Sequence, residues 1–468
     1  MNFKKITYFL LSVWMLVLFS MFLFELILQI LPLISKNISK NDKTEYIYIL
    51  GESSAKGIPY DCKISFSKIL EYTINYEMDG KQIELIELAN IGNRLSHQYF
   101  SYFLYRYTHP FRKGIVILYA GTNDSSHNYP NKNYCFIYNS NLIKIFTAYT
   151  TKAYDFQYMY ENIIRLTKKF GDDIYISTIS GNYAGFMPES SAYLKTNKDF
   201  SEIIDLVDKL FIEGDYKKAL SVCFNNISKY KESSHLFYRI GKIYEKLKKN
   251  KEANNFYLKT VDTDNDNETR PIPKRYQNEI IIFLANKYNI SYLDMFGKLY
   301  NSNEVIGYNF FIDKIHPTIR LNLMLANGFI DLLSKKHKLK KINSLNSDDD
   351  VKKIFNFSNE DLFATYIQAL GEVFIYTYKN NMLNKYSLPQ IKEYILIVKN
   401  LNLEKTYEEE QKKTIEFFEK LLEYITNTSN KSLKSEISKL YDYGTEKKYL
   451  YYLDLNFKEM LKENKIIN

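Results

Sequence analysis

The chain is short of the residues that would place it in several familiar functional classes. Its three cysteines, Cys62, Cys135 and Cys223, lie far apart, with no C-x-x-C pair and no histidine at ligand spacing. A zinc site needs thiolate and imidazole ligands clustered at short spacing, so no metal site is expected. Two readings of the thiols stay open: one disulfide plus a free thiol, or three unpaired and mostly buried thiols. An arginine-rich stripe is missing too. The 63 Lys and Arg against 54 Asp and Glu leave a formal charge of +9, spread along the chain mostly as lysine. Nucleic-acid binding needs that charge concentrated, so no nucleic-acid partner is expected. A mild preference for anionic membrane or polymer surfaces fits scattered lysines better. The acidic stretch at 263–272 lacks the central glycine and distal glutamate of a calcium loop, and reads as a return loop. Nothing suggests a nucleotide, so no cofactor is expected.

What the chain has is length and apolar content. Its 468 residues are 46% hydrophobic, enough for two or three domains with a sizeable core. Ile6 to Phe24 is apolar or nearly so, and a further apolar stretch runs past Glu25 and Gln29 to Ile34. That matches the roughly 20 residues that cross a bilayer. The run is longer than a signal-peptide core, and no small-x-small cleavage site follows. Residues 1–35 read as an uncleaved signal anchor, with a cleaved signal peptide as the alternative. Lys4 and Lys5 precede the segment, while Lys36, Lys40 and Lys43 follow it. A short cytoplasmic N-terminus with the bulk outside is the expected arrangement: a single-pass membrane protein whose main domain is extracytoplasmic. Residues 35–44 read as a linker.

From residue 45 strand and helix patterns alternate. Tyr46–Leu50, Ile83–Ala89, Gly114–Ala120 and Ile174–Ile179 read as strands, the third a near-continuous apolar run of the kind buried on both faces. Helical periodicity follows at 64–74, 95–107 and 155–169. This alternation predicts an α/β fold with a parallel sheet covered on both sides, its first part at 45–198. The pattern then breaks. Residues 199–262 read as helical throughout and repeat at an offset of 34 residues: Ala219 with Ala253, Cys223 with Tyr257, Leu210 with Tyr244, Val207 with Gly241. Gly241, Tyr244, Ala253 and Tyr257 resemble the signature positions of a tetratricopeptide repeat. Two such units make a marginal solenoid, so they are expected to pack on the parent domain. The α/β pattern resumes at 263–337, with a helix at 275–288, a strand at 291–294 and a closing helix at 319–333. Residues 338–350 read as a linker. Residues 351–468 read as an amphipathic all-α region without a chemical motif, a docking or packing domain.

Four stretches carry chemistry. Gly51-Glu52-Ser53-Ser54 follows the first strand. Asn90-Ile91-Gly92-Asn93-Arg94-Leu95 follows the second, and Gly121-Thr122-Asn123-Asp124 the third. Asp313-Lys314-Ile315-His316-Pro317 precedes the closing helix. In a parallel sheet the C-terminal strand ends open into one crevice. There His316 can take a proton from Ser53 as general base. Asp313, three residues earlier, can bind the other imidazole nitrogen and fix its tautomer. Asn123 can donate its amide to a developing oxyanion, with backbone N–H groups from Ser53 and the 92–95 loop.

These four stretches resemble the four blocks of the SGNH, or GDSL-like, hydrolase superfamily, over roughly residues 45–335. Thr178 to Asn182, followed by Met187 to Ser190, is similar to the fourth-strand loop of a subgroup that carries such repeats. The resemblance implies a flavodoxin-like three-layer sandwich and a metal-independent ester hydrolase. It implies Ser53, Asp313 and His316 as catalytic residues, with Asn123 and Gly92 in the oxyanion hole. Glu52 departs from the usual aspartate of the first block. Leu95 stands where the family usually has its oxyanion glycine, so Gly92 or the Leu95 backbone N–H is the expected substitute. The expected activity is a membrane-anchored serine esterase removing an acyl group, such as acetyl, from a cell-envelope glycan or lipid. Two alternatives use the same residues differently: an O-acyltransferase acting on a surface polysaccharide, or a catalytically weak scaffold binding a protein partner through its helices.

Overall fold

A computed structural model describes residues 3–37, 43–126, 156–188, 197–230, 234–264, 272–339, 343–379, 388–426, 431–446, 455–463 and 466. Cys135, Ser190 and most of the 263–272 loop lie outside the described residues. The sheet has six strands: β1 (Thr44–Gly51), β2 (Glu77–Met78), β3 (Lys81–Glu87), β4 (Gly114–Tyr119), β5 (Asp173–Ser177) and β6 (Tyr292–Leu293). Their order is β2-β3-β1-β4-β5-β6. Every pair from β3 to β6 is parallel, while β2 pairs antiparallel with β3. The expectation of a purely parallel sheet is therefore corrected to a mixed one. The β2 edge is a tight hairpin, too short to show a periodic pattern in sequence.

β1 and β4 are central, and β4 is buried along its whole length. Alternate residues of these strands face opposite helical layers. Tyr48 of β1 meets Tyr102 and Tyr105 of α4 (Leu95–Thr108) edge-on. Tyr119 of β4 meets Phe66 of α3 (Phe66–Thr73), which stacks on Phe329 of α12 (Ile319–Ser334). The α4 layer continues through α5 (Phe156–Phe170) to α10 (Arg275–Tyr288), and α11 (Met295–Tyr300) follows β6. Caps set where helices begin. The Ser65 hydroxyl accepts the Lys68 N–H ahead of α3, and Thr318 accepts Leu321 N–H ahead of α12.

The first helix, α1 (Phe3–Asn37), is continuous, and Ser12–Asn37 is long and apolar enough to cross a membrane. Its last turns touch the α/β unit: the Tyr107 hydroxyl and Lys169 Nζ both donate to the Leu28 carbonyl.

Between β5 and β6 the chain forms α6 (Lys198–Glu213), α7 (Tyr216–Ile227), α8 (Ser234–Lys246) and α9 (Asn250–Thr263). After α12 come α13 (Asp348–Ile354), α14 (Asn359–Lys379), α15 (Leu388–Asn400), α16 (Glu408–Thr426), α17 (Lys431–Glu446) and α18 (Leu455–Glu463). The stretch read as a linker, 338–350, is tied down where it is described. Asp79 accepts from His337 Nδ1 and from Lys338 N–H, and Asn343 donates to the Tyr72 and Thr73 carbonyls. Leu345 is buried, and Asp348 already opens α13 under a Ser347 cap. Most of its described polar residues stay exposed, while these few hydrogen bonds fix its path.

Candidate active site

Gly51 ends β1, and α2 (Ser53–Lys56) folds straight back over it. A Cβ on Gly51 would lie 2.4 Å from the Ala55 Cβ and 2.5 Å from the Tyr119 carbonyl oxygen. Only glycine fits, so the turn delivers Ser53 to the first position of a short helix. Backbone N–H groups in a first turn have no partner within the helix. Gly121 does the same for β4. Its φ is +115°, and a Cβ there would meet the Phe156 ring at 2.5 Å. Two buried amides pin these turns: Gln98 Oε1 accepts the Gly51 N–H at 3.0 Å, and Gln277 Nε2 donates to the Gly121 carbonyl at 2.9 Å.

Ser53 and His316, 263 residues apart, meet with 2.8 Å between Oγ and Nε2. On the far side of the ring, His316 Nδ1 lies 2.6 Å from Asp313 Oδ2. The other carboxylate oxygen of Asp313 accepts the N–H groups of Ile315 and His316 at 3.0 and 2.9 Å. With Nδ1–H given to the carboxylate, Nε2 is left as the acceptor for the serine hydroxyl. Burial opposes charge on both partners. Their attraction outweighs it, so the Asp313 carboxyl stays below its usual range and the His316 imidazolium sits above its own. Ser54 is engaged elsewhere, donating to the Ile315 carbonyl at 3.1 Å.

The Asn123 side chain donates to the Asn93 carbonyl at 2.8 Å, so the loops after β3 and β4 close on each other. Gly92 lies on that loop, exposed, with φ +71° and open space around it. The Leu95 backbone N–H is not at the disposal of a ligand. It donates to Asp124 Oδ2 at 3.0 Å, so of the two expected substitutes for the missing glycine, Gly92 and this N–H, the second is already engaged.

Three positions with no role assigned from sequence hold this geometry. Glu52, almost fully buried, accepts the Gly121 N–H at 2.9 Å and the Asn123 N–H at 3.1 Å, one with each carboxyl oxygen. Burial, and then the neighbouring Asp124, push Glu52 up to about 8. Burial pushes Asp124 up to about 6, against the Leu95 N–H and Arg94. The signal in the sequence is two acids, Glu52 and Asp124, each just past the end of a strand. Asn182 is the third. Its Nδ2 donates to the Asp313 carbonyl at 3.0 Å, and its N–H to the Lys314 carbonyl at 2.8 Å. Among the described residues, no group of three or more His, Cys, Asp and Glu is arranged to hold a metal ion.

No protein-family model matches the chain, and no curated protein matches it. Among solved structures, it is similar to the crystal structure of a member of the lipolytic protein G-D-S-L family from Veillonella parvula DSM 2008. The likeness is 12% in sequence identity with a TM-score of 0.30, and covers 62% of this chain and 99% of that one.

Proposed function

We propose that this chain is a membrane-anchored serine esterase of the SGNH type, with Ser53 as nucleophile, His316 as general base and Asp313 as its orienting carboxylate. The single observation that carries the reading is the unbroken hydrogen-bonded line from Ser53 Oγ through the imidazole to Asp313. The parallel strands run β3-β1-β4-β5-β6, the flavodoxin-like order, which supports a cleft at the switch point between β1 and β4.

In this reading Ser53 Oγ attacks the acyl carbonyl carbon while its proton passes to His316 Nε2. The imidazolium that forms is stabilised by Asp313. Negative charge on the carbonyl oxygen is met by the Asn123 amide, the Ser53 backbone N–H and the loop around Gly92. The imidazolium then protonates the departing alcohol, leaving an acyl-serine. Water, deprotonated by His316, attacks that ester and releases the acid. The substrate is an acyl ester, such as an acetyl ester, on an envelope glycan or lipid, and the body of the chain lies outside the cytoplasm. α1 supports the anchor: from Val13 to Leu26 its large apolar side chains are mostly exposed, as suits contact with lipid.

The test is fluorophosphonate labelling of the full chain in detergent. The wild type is expected to label at Ser53, with labelling lost in Ser53→Ala and in His316→Ala. A folded wild type that does not label, or a Ser53→Ala variant that still does, overturns the reading.

A further inference from the structure

The loop that carries Asp313 and His316 is a closed turn. The Ile312 N–H donates to the His316 carbonyl at 3.0 Å, and the Thr318 N–H to the Phe310 carbonyl at 2.9 Å. Three carbonyls on this turn each accept a hydrogen bond from a side chain, and each side chain comes from a different part of the chain. Ser54, beside the nucleophile, holds Ile315, and Asn182, after β5, holds Asp313. The third holder is Tyr394 of α15, whose hydroxyl donates to the Ile312 carbonyl. That carbonyl belongs to the peptide that enters Asp313.

Tyr394 is itself well fixed. It is 4% exposed, and its ring meets Tyr308 and Tyr366 edge-on at 5.9 and 5.3 Å. The neighbouring helix α14 is clamped to the segment just beyond Ser53. Lys63 Nζ lies 2.7 Å from Asp361 Oδ1, and the Thr365 hydroxyl donates to the Pro59 carbonyl at 3.3 Å. Asp361, Thr365 and Glu372 fall on one stripe of α14, at i, i+4 and i+11. The carboxylate of Glu372, further along that stripe, acts on His316. The C-terminal helices therefore reach both the nucleophile's segment and the acid–base turn.

We propose that the C-terminal helical region is a working part of the site, and that Tyr394 is a positioning residue that holds the Asp313–His316 turn through the Ile312 carbonyl. The inference rests on the serine esterase reading. It adds that the all-α region, which carries no chemical motif of its own, sets the orientation of the base.

Tyr394→Phe tests it, because the ring and its packing stay while the hydroxyl goes. Tyr394 borders a cavity of about 390 Å³ that Ile312, Thr318 and Tyr366 also line. Tyr366→Phe, on the same cavity wall, is the control. Hydrolysis of p-nitrophenyl acetate by the full chain is expected to lose about tenfold in kcat in Tyr394→Phe, with KM within about twofold, the rate equivalent of one hydrogen bond. Tyr366→Phe is expected to keep both constants. Hydrogen exchange of the 310–318 peptide is expected to speed up in Tyr394→Phe only. Unchanged exchange and unchanged kcat overturn the proposal, as does an equal loss in both variants. Exchange that speeds up while kcat holds overturns the positioning role. A wild type that neither hydrolyses the ester nor labels at Ser53 sinks the esterase reading instead, and the exchange readout still decides the clamp.

Discussion

Two all-α regions are attached to the same α/β unit, and they are attached differently. The insertion, α6 to α9, keeps part of its core to itself. Phe200, Ile204, Val207, Leu210, Ala219 and Cys223 cluster with α8 residues, apart from the main core. The second hairpin joins the α/β unit. The Tyr238 hydroxyl donates to the Ala184 carbonyl at 3.0 Å, and Asn254 pairs with Glu304 and Ile306 backbone. Among the described residues, the C-terminal helices share the core of the α/β unit. Phe374, Phe417, Phe418 and Leu421 belong to the same continuous cluster as β1 and β4. Their polar contacts land on the turn of Asp313 and His316 and on the segment after Ser53. By composition the two regions look alike, both amphipathic helix. What separates them is where their cores end.

The comparison breaks most sharply on core truncation. Phe418→Ala empties a site packed by Phe374, Phe417 and Phe457, and is expected to cost about 3–5 kcal/mol. Ser53 labelling should fall with it, because its core is the site's core. Phe200→Ala should cost a similar ~3–5 kcal/mol within the first hairpin and leave labelling intact below the transition. Thermal unfolding followed in parallel with labelling checks both, and equal loss of labelling in the two variants would end the distinction.

A second contrast comes from pH. Glu52 ionises near the ordinary carboxyl value of 4.5 when unfolded but only at about 8 when folded, so between those values the folded chain holds a proton that the unfolded chain has released. This group therefore makes stability fall as pH rises from 4.5 to about 8. Glu52→Gln should remove this contribution in a melting series and leave the smaller one from Asp124. Labelling has its own pH dependence: in the proposed mechanism His316 acts as the neutral base, and its range is raised, so the acid limb should lie above 6.5. The smallest effect belongs to the rim. Lys63 and Asp361 are partly exposed, so Lys63→Ala should cost under about 1 kcal/mol, with a modest rise in exchange where α14 meets the 57–65 segment.

Much of the α/β unit was legible because its signals are local. A buried parallel strand must be apolar along its length, and β4 is. A helix facing a sheet must repeat its apolar residues every three or four positions, and α12 does. The Asp-x-x-His spacing needs no tertiary knowledge either, because three residues within one turn bring a carboxylate to an imidazole. The 338–350 stretch was less legible for the opposite reason. Its polar residues suit solvent, and the bonds that fix its path, from the Lys338 N–H to Asp79 and from Asn343 to the Tyr72 and Thr73 carbonyls, join partners far away in sequence. Leu95 is similar. Its side chain was the visible departure, while its N–H depended on whether Asp124 would swing onto it.

The chain's own order of residues determined which segments become strands and helices, which turns demand glycine, and that Asp313 and His316 touch. These depend on hydrogen bonds and periodicities that span a few residues. Packing decided the rest. Ser53 meets His316, Glu52 grips the Asn123 N–H, and Tyr394 holds Ile312 only once the sheet, its layers and the C-terminal helices have closed. Contacts between residues so far apart are selected by how buried surfaces fit together, and a surface has no shape until the chain that forms it has folded.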